Sequence, residues 1–159
     1  MRRLALPLAA CLLLAGCAPT VSLTPAPQAT AVGCASLIVG IRGIETIGDA
    51  QRRQTDAQGT AAWGTPASVT LYCGVETPEA SALPCTTQSG VDWLLSESGD
   101  ERIATTYGRA PGVQLITTRD ASVNDALETL SGAVATSTRG TDRRCLADPG
   151  ASATPSAIP

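Results

Sequence analysis

The sequence predicts an α+β fold, a two-layer sandwich in which a mostly antiparallel sheet of about five or six strands carries one or two helices on one face. Most of the chain between Cys34 and Cys145 consists of short runs of alternating or β-branched apolar residues, separated by Gly and Pro. One later segment, in contrast, repeats apolar residues at helical spacing over several turns. Strands therefore dominate, and at least one helix covers them.

The first elements along this region are short. The run SLIVGIRGI (36–44) is compatible with a helix or a strand, because its apolar residues fit a helix face while its β-branched content suits a sheet. ETIGDAQRRQT (45–55) predicts two short strands joined at Gly48-Asp49, a dipeptide suited to a two-residue hairpin loop. In SVTLYCGV (68–75) the apolar residues alternate with polar ones, so Cys73 is expected to face the core.

The helix is marked at both ends. Ser122 and Asp125 resemble a capping box, in which a side-chain oxygen satisfies a free amide of the first turn. Apolar residues then recur at helical spacing, at Val123, Ala126, Leu127, Leu130 and Val134. Arg139 and Gly140 fit its C-terminal end, as a cation followed by a residue that tolerates a left-handed turn.

The N-terminus predicts export and anchoring. Basic residues and a short apolar run precede Leu14-Ala15-Gly16-Cys17, which resembles the lipobox of bacterial lipoproteins. We therefore expect residues 1–16 to be a lipoprotein signal peptide and Cys17 to carry acyl chains, which makes the lipid bilayer a partner. We expect the protein to lie at the extracytoplasmic face of the cell membrane.

The remaining boundaries follow from composition. Residues 17–33 hold the lipidated cysteine and a Pro-rich stretch, which predicts an extended tether. Residues 34–145 form a single disulfide-bonded α+β domain, and residues 146–159 have the composition of a disordered tail. The chain has 11 basic and 14 acidic residues, an acidic balance that argues against nucleic acid as a partner.

Four cysteines remain for the exported domain, namely Cys34, Cys73, Cys85 and Cys145. An even number in an oxidising compartment predicts two disulfides, and three pairings are open. We expect Cys73–Cys85 as a short staple and Cys34–Cys145 closing the ends of the domain. The same residues do not predict a zinc site, because they include no CxxC pair and the chain has no His.

The absence of two residue types limits the reactions that this chain could catalyse. The chain contains no His and no Lys, which removes imidazole bases, metal-binding imidazoles and Schiff-base chemistry. We therefore expect a protein that is not an enzyme and holds no metal or cofactor. Acidic residues around SESGDE (96–101) leave open a carboxylate hydrolase, although this run is typical of a polar hairpin turn.

A binding site is an alternative reading of the few aromatic residues. Tyr107 and Arg109 would share a face of one strand, and Trp63 or Trp93 would complete a cluster able to stack a ring or hold a carboxylate. The competing interpretation is that both Trp residues fill the core, because the chain has no Phe to do so.

Several segments resemble a known family when taken together. These are the lipobox, Cys34, the RR pair ahead of AAWGTPASVTLYCGV, then GVDWL, TTYGRAPGVQL and LETLSGAV. In this order they are similar to an actinobacterial lipoprotein family known only as domain of unknown function 3515. The resemblance implies anchoring at the cell envelope and assigns no catalytic residue.

Three functions from different classes remain. The first is a non-catalytic interaction module that binds a cell-envelope protein through a sheet face or edge. The second is a small-ligand-binding domain that uses the aromatic and Arg residues, and the third is the carboxylate hydrolase. The sequence leaves the oligomeric state open.

Overall fold

The computed structural model describes residues 19–79 and 81–146. The signal peptide, Cys17 and the tail beyond Leu146 lie outside these residues. The two helices are α1 (Val32–Gly40) and α2 (Val123–Ser137). The strands are β1 (Thr46–Ile47), β2 (Ala50–Arg53), β3 (Thr60–Trp63), β4 (Val69–Val75), β5 (Cys85–Gln88), β6 (Val91–Ser98), β7 (Glu101–Tyr107), β8 (Arg109–Ala110), β9 (Gly112–Thr118) and β10 (Arg139–Gly140).

Eight strands form one open sheet in the order β1-β2-β3-β4-β9-β7-β6-β5. Every neighbouring pair is antiparallel, so the predicted α+β fold is confirmed. The sheet has eight strands rather than the five or six expected, and β5 is the one that no pattern indicated, because its four residues are too few to show alternation. The hairpin at Gly48-Asp49 joins β1 and β2 as predicted.

Both helices lie on one face of the sheet, which we call the inner face. Trp63, Leu71, Trp93 and Leu115 point from the strands into a single core and are fully buried. Leu130 of α2 is buried in the same core. The ambiguous run at 36–44 begins inside α1, which starts earlier than expected because Cys34 and Leu37, one turn apart, are both buried against the sheet and α2.

Helix α2 begins as predicted and ends differently. The Ser122 side chain accepts a hydrogen bond from the Asp125 amide at 3.2 Å, which confirms the cap. The helix ends at Ser137, and its last turn contains no basic residue. Arg139, expected near this end, lies in β10 and is exposed, because the chain turns at Thr138 to pair with β8.

The predicted disulfide pairing is wrong. The bonds join Cys34 to Cys73 and Cys85 to Cys145. Cys73 faces the core as expected and meets Cys34 on α1, and both are fully buried. The short Cys73–Cys85 staple is ruled out by topology, because β4 and β5 are four strand positions apart in the sheet, roughly 19 Å.

Most of the predicted tether is packed on the domain. Val21 forms a parallel bridge with Thr55, and its amide donates to Gln54 O at 2.8 Å. Further along, the Gln28 amide donates to Gly74 O at 3.0 Å, and Ala29 is buried. Composition suggested a free spacer because Pro and small residues cannot build a core. They can still contact an existing core, so the folded unit already includes Pro19 and does not start at Cys34.

Two further contacts hold this segment. The carboxylate of Asp56 accepts hydrogen bonds from the Ser22 hydroxyl at 2.6 Å and the Leu23 amide at 2.9 Å, and these bonds lower its pKa. Their contribution to stability is therefore present above the usual pKa of Asp and is lost as the pH falls through the lowered value. Gly74, with φ of +95°, leaves room for the N-terminal segment, because a Cβ there would lie 2.2 Å from the carbonyl carbon of Gln28.

Candidate functional site

The two Trp residues proposed for a ligand site fill the core. Trp63 is fully buried, and its indole Nε1 donates to Ile44 O at 3.1 Å. Trp93 is also fully buried and donates to the Ser131 hydroxyl of α2 at 3.0 Å. They stand on β3 and β6, four strand positions apart in the sheet and so separated by roughly 19 Å. The structure does not bring them together.

Tyr107 and Arg109 do not share a face, contrary to the expectation. Gly108, with φ of +66°, lies between the end of β7 and the start of β8 and turns the chain. The Tyr107 hydroxyl donates to Glu79 O at 3.4 Å. Arg109 instead reaches the end of α2 and donates to Ala135 O at 3.2 Å, to Thr138 O at 3.3 Å and to Gly90 O at 2.7 Å. Arg109 is therefore the cation at the end of α2, in the place expected for Arg139.

We expect Arg109→Ala to lower the free energy of unfolding by about 2 kcal/mol, because a charged donor to the last carbonyls of a helix is lost. Urea denaturation followed by circular dichroism measures this change. Arg139→Ala is the matched control, since Arg139 is exposed in β10, and its effect should stay below about 0.5 kcal/mol. Equal stability of the Arg109 variant and the wild type would contradict a structural role for this side chain.

The acidic residues considered for hydrolysis lie apart. Glu97, Asp100 and Glu101 are exposed at the β6–β7 hairpin, where Asp100 pairs with Arg119 at 3.1 Å. Asp92, by contrast, is buried on β6. It accepts hydrogen bonds from the Thr87 hydroxyl at 2.5 Å and the Cys145 amide at 2.9 Å, so it ties the C-terminal segment to β5 and β6. Among residues 19–79 and 81–146, no group of three or more Cys, Asp or Glu is placed to hold a metal ion.

A groove of about 1100 Å³ separates α1 from the loop between β2 and β3. Ile38 and Val39 line its helical wall, and Arg42 and Arg52 lie at its sides. The guanidinium of Arg52 lies 5.1 Å from the centre of the Trp63 ring and donates to Ile41 O at 2.7 Å. Burial lowers the pKa of Arg52, which remains charged at neutral pH because it begins far above it. The Arg52 guanidinium therefore makes these contacts within the domain.

The opposite face of the sheet forms a continuous patch at its centre. Ile116 on β9 is the register partner of Thr70 on β4 and of Ile103 on β7. Gln114 is likewise the partner of Tyr72 and Thr105, and its amide donates to the Thr105 hydroxyl at 3.0 Å. We call these six half-buried residues the open face, namely Thr70, Tyr72, Ile103, Thr105, Gln114 and Ile116.

The chemistry of the open face is that of a contact surface. Its Ile and Tyr side chains are outside the hydrophobic core, and the two described helices pack on the other side of the sheet. The patch contains no charged residue, and it offers an aromatic ring, two aliphatic side chains and hydroxyl or amide groups. The centres of protein interfaces share this composition, depleted in charge and enriched in Tyr. The alternation of SVTLYCGV identifies two of its residues, but only the strand order brings in the other four.

Neither helix among the described residues has the length and apolar character needed to cross a membrane. Neither the curated proteins nor the solved structures contain a match to the chain. A family model described as "Protein of unknown function (DUF3515)" matches residues 5–142, which is most of the sequence. The chain therefore belongs to the DUF3515 family, as its segments predicted.

Proposed function

We propose that the protein is an extracytoplasmic lipoprotein, anchored to the cell membrane through Cys17, that acts as a non-catalytic binding module for a protein of the cell envelope. The open face is its contact surface. The observation that carries the proposal is this uncharged patch at the centre of the sheet face on which neither described helix packs.

The disulfides support the extracytoplasmic location. All four cysteines of the described domain are paired, as Cys34–Cys73 and Cys85–Cys145. Such bonds form and persist in oxidising compartments outside the cytoplasm. The lipobox at Leu14–Cys17 supports the same location independently, through the signal for export and acylation.

The roles of individual residues support binding over catalysis. The chain offers no His and no Lys, and the described thiols are bonded to each other. Arg109 and both Trp residues make contacts within the fold. The acidic residues of the β6–β7 hairpin are exposed, and two of them, Glu97 and Asp100, form surface ion pairs. Arg109 and the two Trp residues therefore have structural roles, whereas the side-chain hydrogen bond found on the open face is the one from Gln114 to Thr105.

A pair of variants tests the contact surface. Ile116→Glu places a charge at the centre of the open face and is expected to weaken partner binding by about 2 kcal/mol, roughly 30-fold. Val39→Glu, on the 59% exposed residue that lines the groove, is the matched control and should leave binding unchanged. The measurement is quantitative recovery of cross-linked envelope proteins from native membranes with tagged full-length protein, after thermal unfolding has shown both variants folded.

Three outcomes distinguish binding at the open face, binding in the groove beside α1, and the absence of specific binding. A protein recovered with the wild type and with Val39→Glu, but lost with Ile116→Glu, supports the open face. The reverse pattern would place binding in the groove beside α1 and overturn the choice of surface. If the wild type and the variants recover the same set of proteins, the binding-module proposal itself fails.

A further inference from the structure

The chain is attached to the folded domain much closer to Cys17 than its composition suggests. Pro19 is already held, because the Arg53 guanidinium donates to its carbonyl oxygen. The same guanidinium donates to Gly64 O and to the Thr65 hydroxyl, so it is itself fixed. Two residues later, Val21 is bonded to Gln54 and Asp56 through the backbone. The docked segment therefore includes Pro19.

Covalent geometry then limits the distance to the anchor. Cys17 and Pro19 are two residues apart, and two extended residues span at most about 7 Å. A tether that used the whole Pro-rich stretch up to Gly33 would have reached about 50 Å. The docking of residues 19–31 removes nearly all of this reach, so an anchor on Cys17 must hold Pro19 close to the bilayer surface.

Pro19 marks one particular edge of the sheet. Its partner Arg53 belongs to β2, and Val21 pairs along the side of β2 that faces away from β3, beyond the short β1. The opposite edge is β5, which carries the Cys85–Cys145 bond. Seven strand spacings separate β1 from β5, roughly 33 Å in an untwisted sheet.

We propose that the β1–β2 edge is the membrane-facing side of this protein, in contact with the lipid headgroup layer, so that the sheet stands on its edge and β5 points away from the bilayer. This inference rests on the proposed lipid attachment at Cys17. It goes beyond that attachment, because a free tether would leave the domain without a fixed orientation.

Charge favours the upright orientation over one that lies flat. The chain has an excess of acidic over basic residues, which repels the body of the domain from anionic lipids. At the β1–β2 edge, three Arg residues lie among five acidic residues, namely Arg42, Arg52 and Arg53 with Glu45, Asp49, Asp56, Asp120 and Asp125. An upright domain brings only this edge close to the headgroups, and it directs outward the remainder of the domain, which carries most of the acidic residues.

The orientation also determines what the open face can meet. In this orientation the plane of the sheet is perpendicular to the membrane, so the open face points along the membrane surface. Its reachable partner is then an extracytoplasmic domain beside it in the same membrane. A soluble protein or wall polymer further out would instead meet the β5 edge.

Lipid photo-cross-linking tests the orientation in membranes of a lipoprotein-processing bacterial host that expresses the full chain. A photoreactive amino acid replaces Gln51, exposed on β2, or Leu83, 46% exposed next to β5. We expect several-fold more cross-linked phospholipid at position 51 than at position 83. A matched form carries a flexible Gly-Ser insert of about ten residues between Ala18 and Pro19, with an average span of about 18 Å, and should bring the two yields close together.

The outcomes distinguish the orientation from the anchor. Equal yields at the two positions without the insert, or a higher yield at position 83, would overturn the orientation while membrane flotation still reports an anchored protein. Cys17→Ser, combined with a signal peptide that a general signal peptidase removes, should release the protein from membranes and abolish labelling at both positions. If a Cys17→Ser form whose signal peptide has been replaced by one that a general signal peptidase removes still floats with membranes, the proposed anchor is wrong, and the orientation derived from it is overturned as well.

Discussion

Replacing Cys34 and Cys73 together by Ala is expected to lower the free energy of unfolding by at least about 4 kcal/mol. The bond closes a loop with a sequence separation of 39 residues, and the chain-entropy model assigns about 4 kcal/mol to a loop of this length. Both sulfur atoms are fully buried between α1 and β4, so their removal also leaves a small cavity. Urea denaturation of the oxidised proteins measures the loss.

The second disulfide provides the matched control. Cys85 and Cys145 close a loop with a separation of 60 residues, for which the entropy term is again about 4 kcal/mol. Cys85 is exposed on β5, so the double Ala variant there should lose little packing. We therefore expect the Cys34/Cys73 variant to be the less stable of the two. The opposite order would contradict the burial of the Cys34–Cys73 bond.

Replacing Trp63 by Ala is expected to lower the free energy of unfolding by about 3 to 5 kcal/mol, the usual range for a buried aromatic residue. Trp63 fills the core beneath the segment that follows α1 and donates a hydrogen bond to Ile44 O. Its loss also removes the ring on which the Arg52 guanidinium rests, which leaves a partly buried cation with fewer favourable contacts. Guanidinium-induced unfolding, followed by circular dichroism, measures the change.

A conservative substitution at the same position separates packing from binding. Trp63→Phe keeps most of the apolar volume and loses the indole hydrogen bond, so it should cost only about 1 to 2 kcal/mol. A ligand-binding role would instead leave stability nearly unchanged in both variants. A loss below about 1 kcal/mol for Trp63→Ala would contradict its assignment to the core.

Short sequence patterns predicted the structure correctly where the interacting residues lie within one segment. Ser122 and Asp125 form the predicted cap of α2 because the bonding atoms lie within one helical turn. Gly48-Asp49 forms the predicted hairpin loop for the same reason, since its geometry depends on two residues and their strands. The inward direction of Cys73 follows from the strict alternation of side chains along a strand.

Prediction failed where segments distant in sequence compete for the same position. Cys73 and Cys85 are close in sequence, but the strand order places β9, β7 and β6 between their strands. Arg139 lies beside the end of α2 in sequence, yet Arg109 occupies that place because β8 pairs with β10. The Pro-rich stretch has no core of its own, and it is ordered by hydrogen bonds that Gln54, Asp56 and Gly74 supply.

The sequence by itself determined the α+β class, the single well-capped helix, the even number of domain cysteines and the DUF3515 family. Each of these depends on composition, on periodicity or on motifs that a short window contains. The tertiary structure decided the disulfide pairing, the docking of residues 19–31 and the composition of the open face. The physical reason is that strand order is set by burial of the whole sheet, and this order determines which distant residues become neighbours.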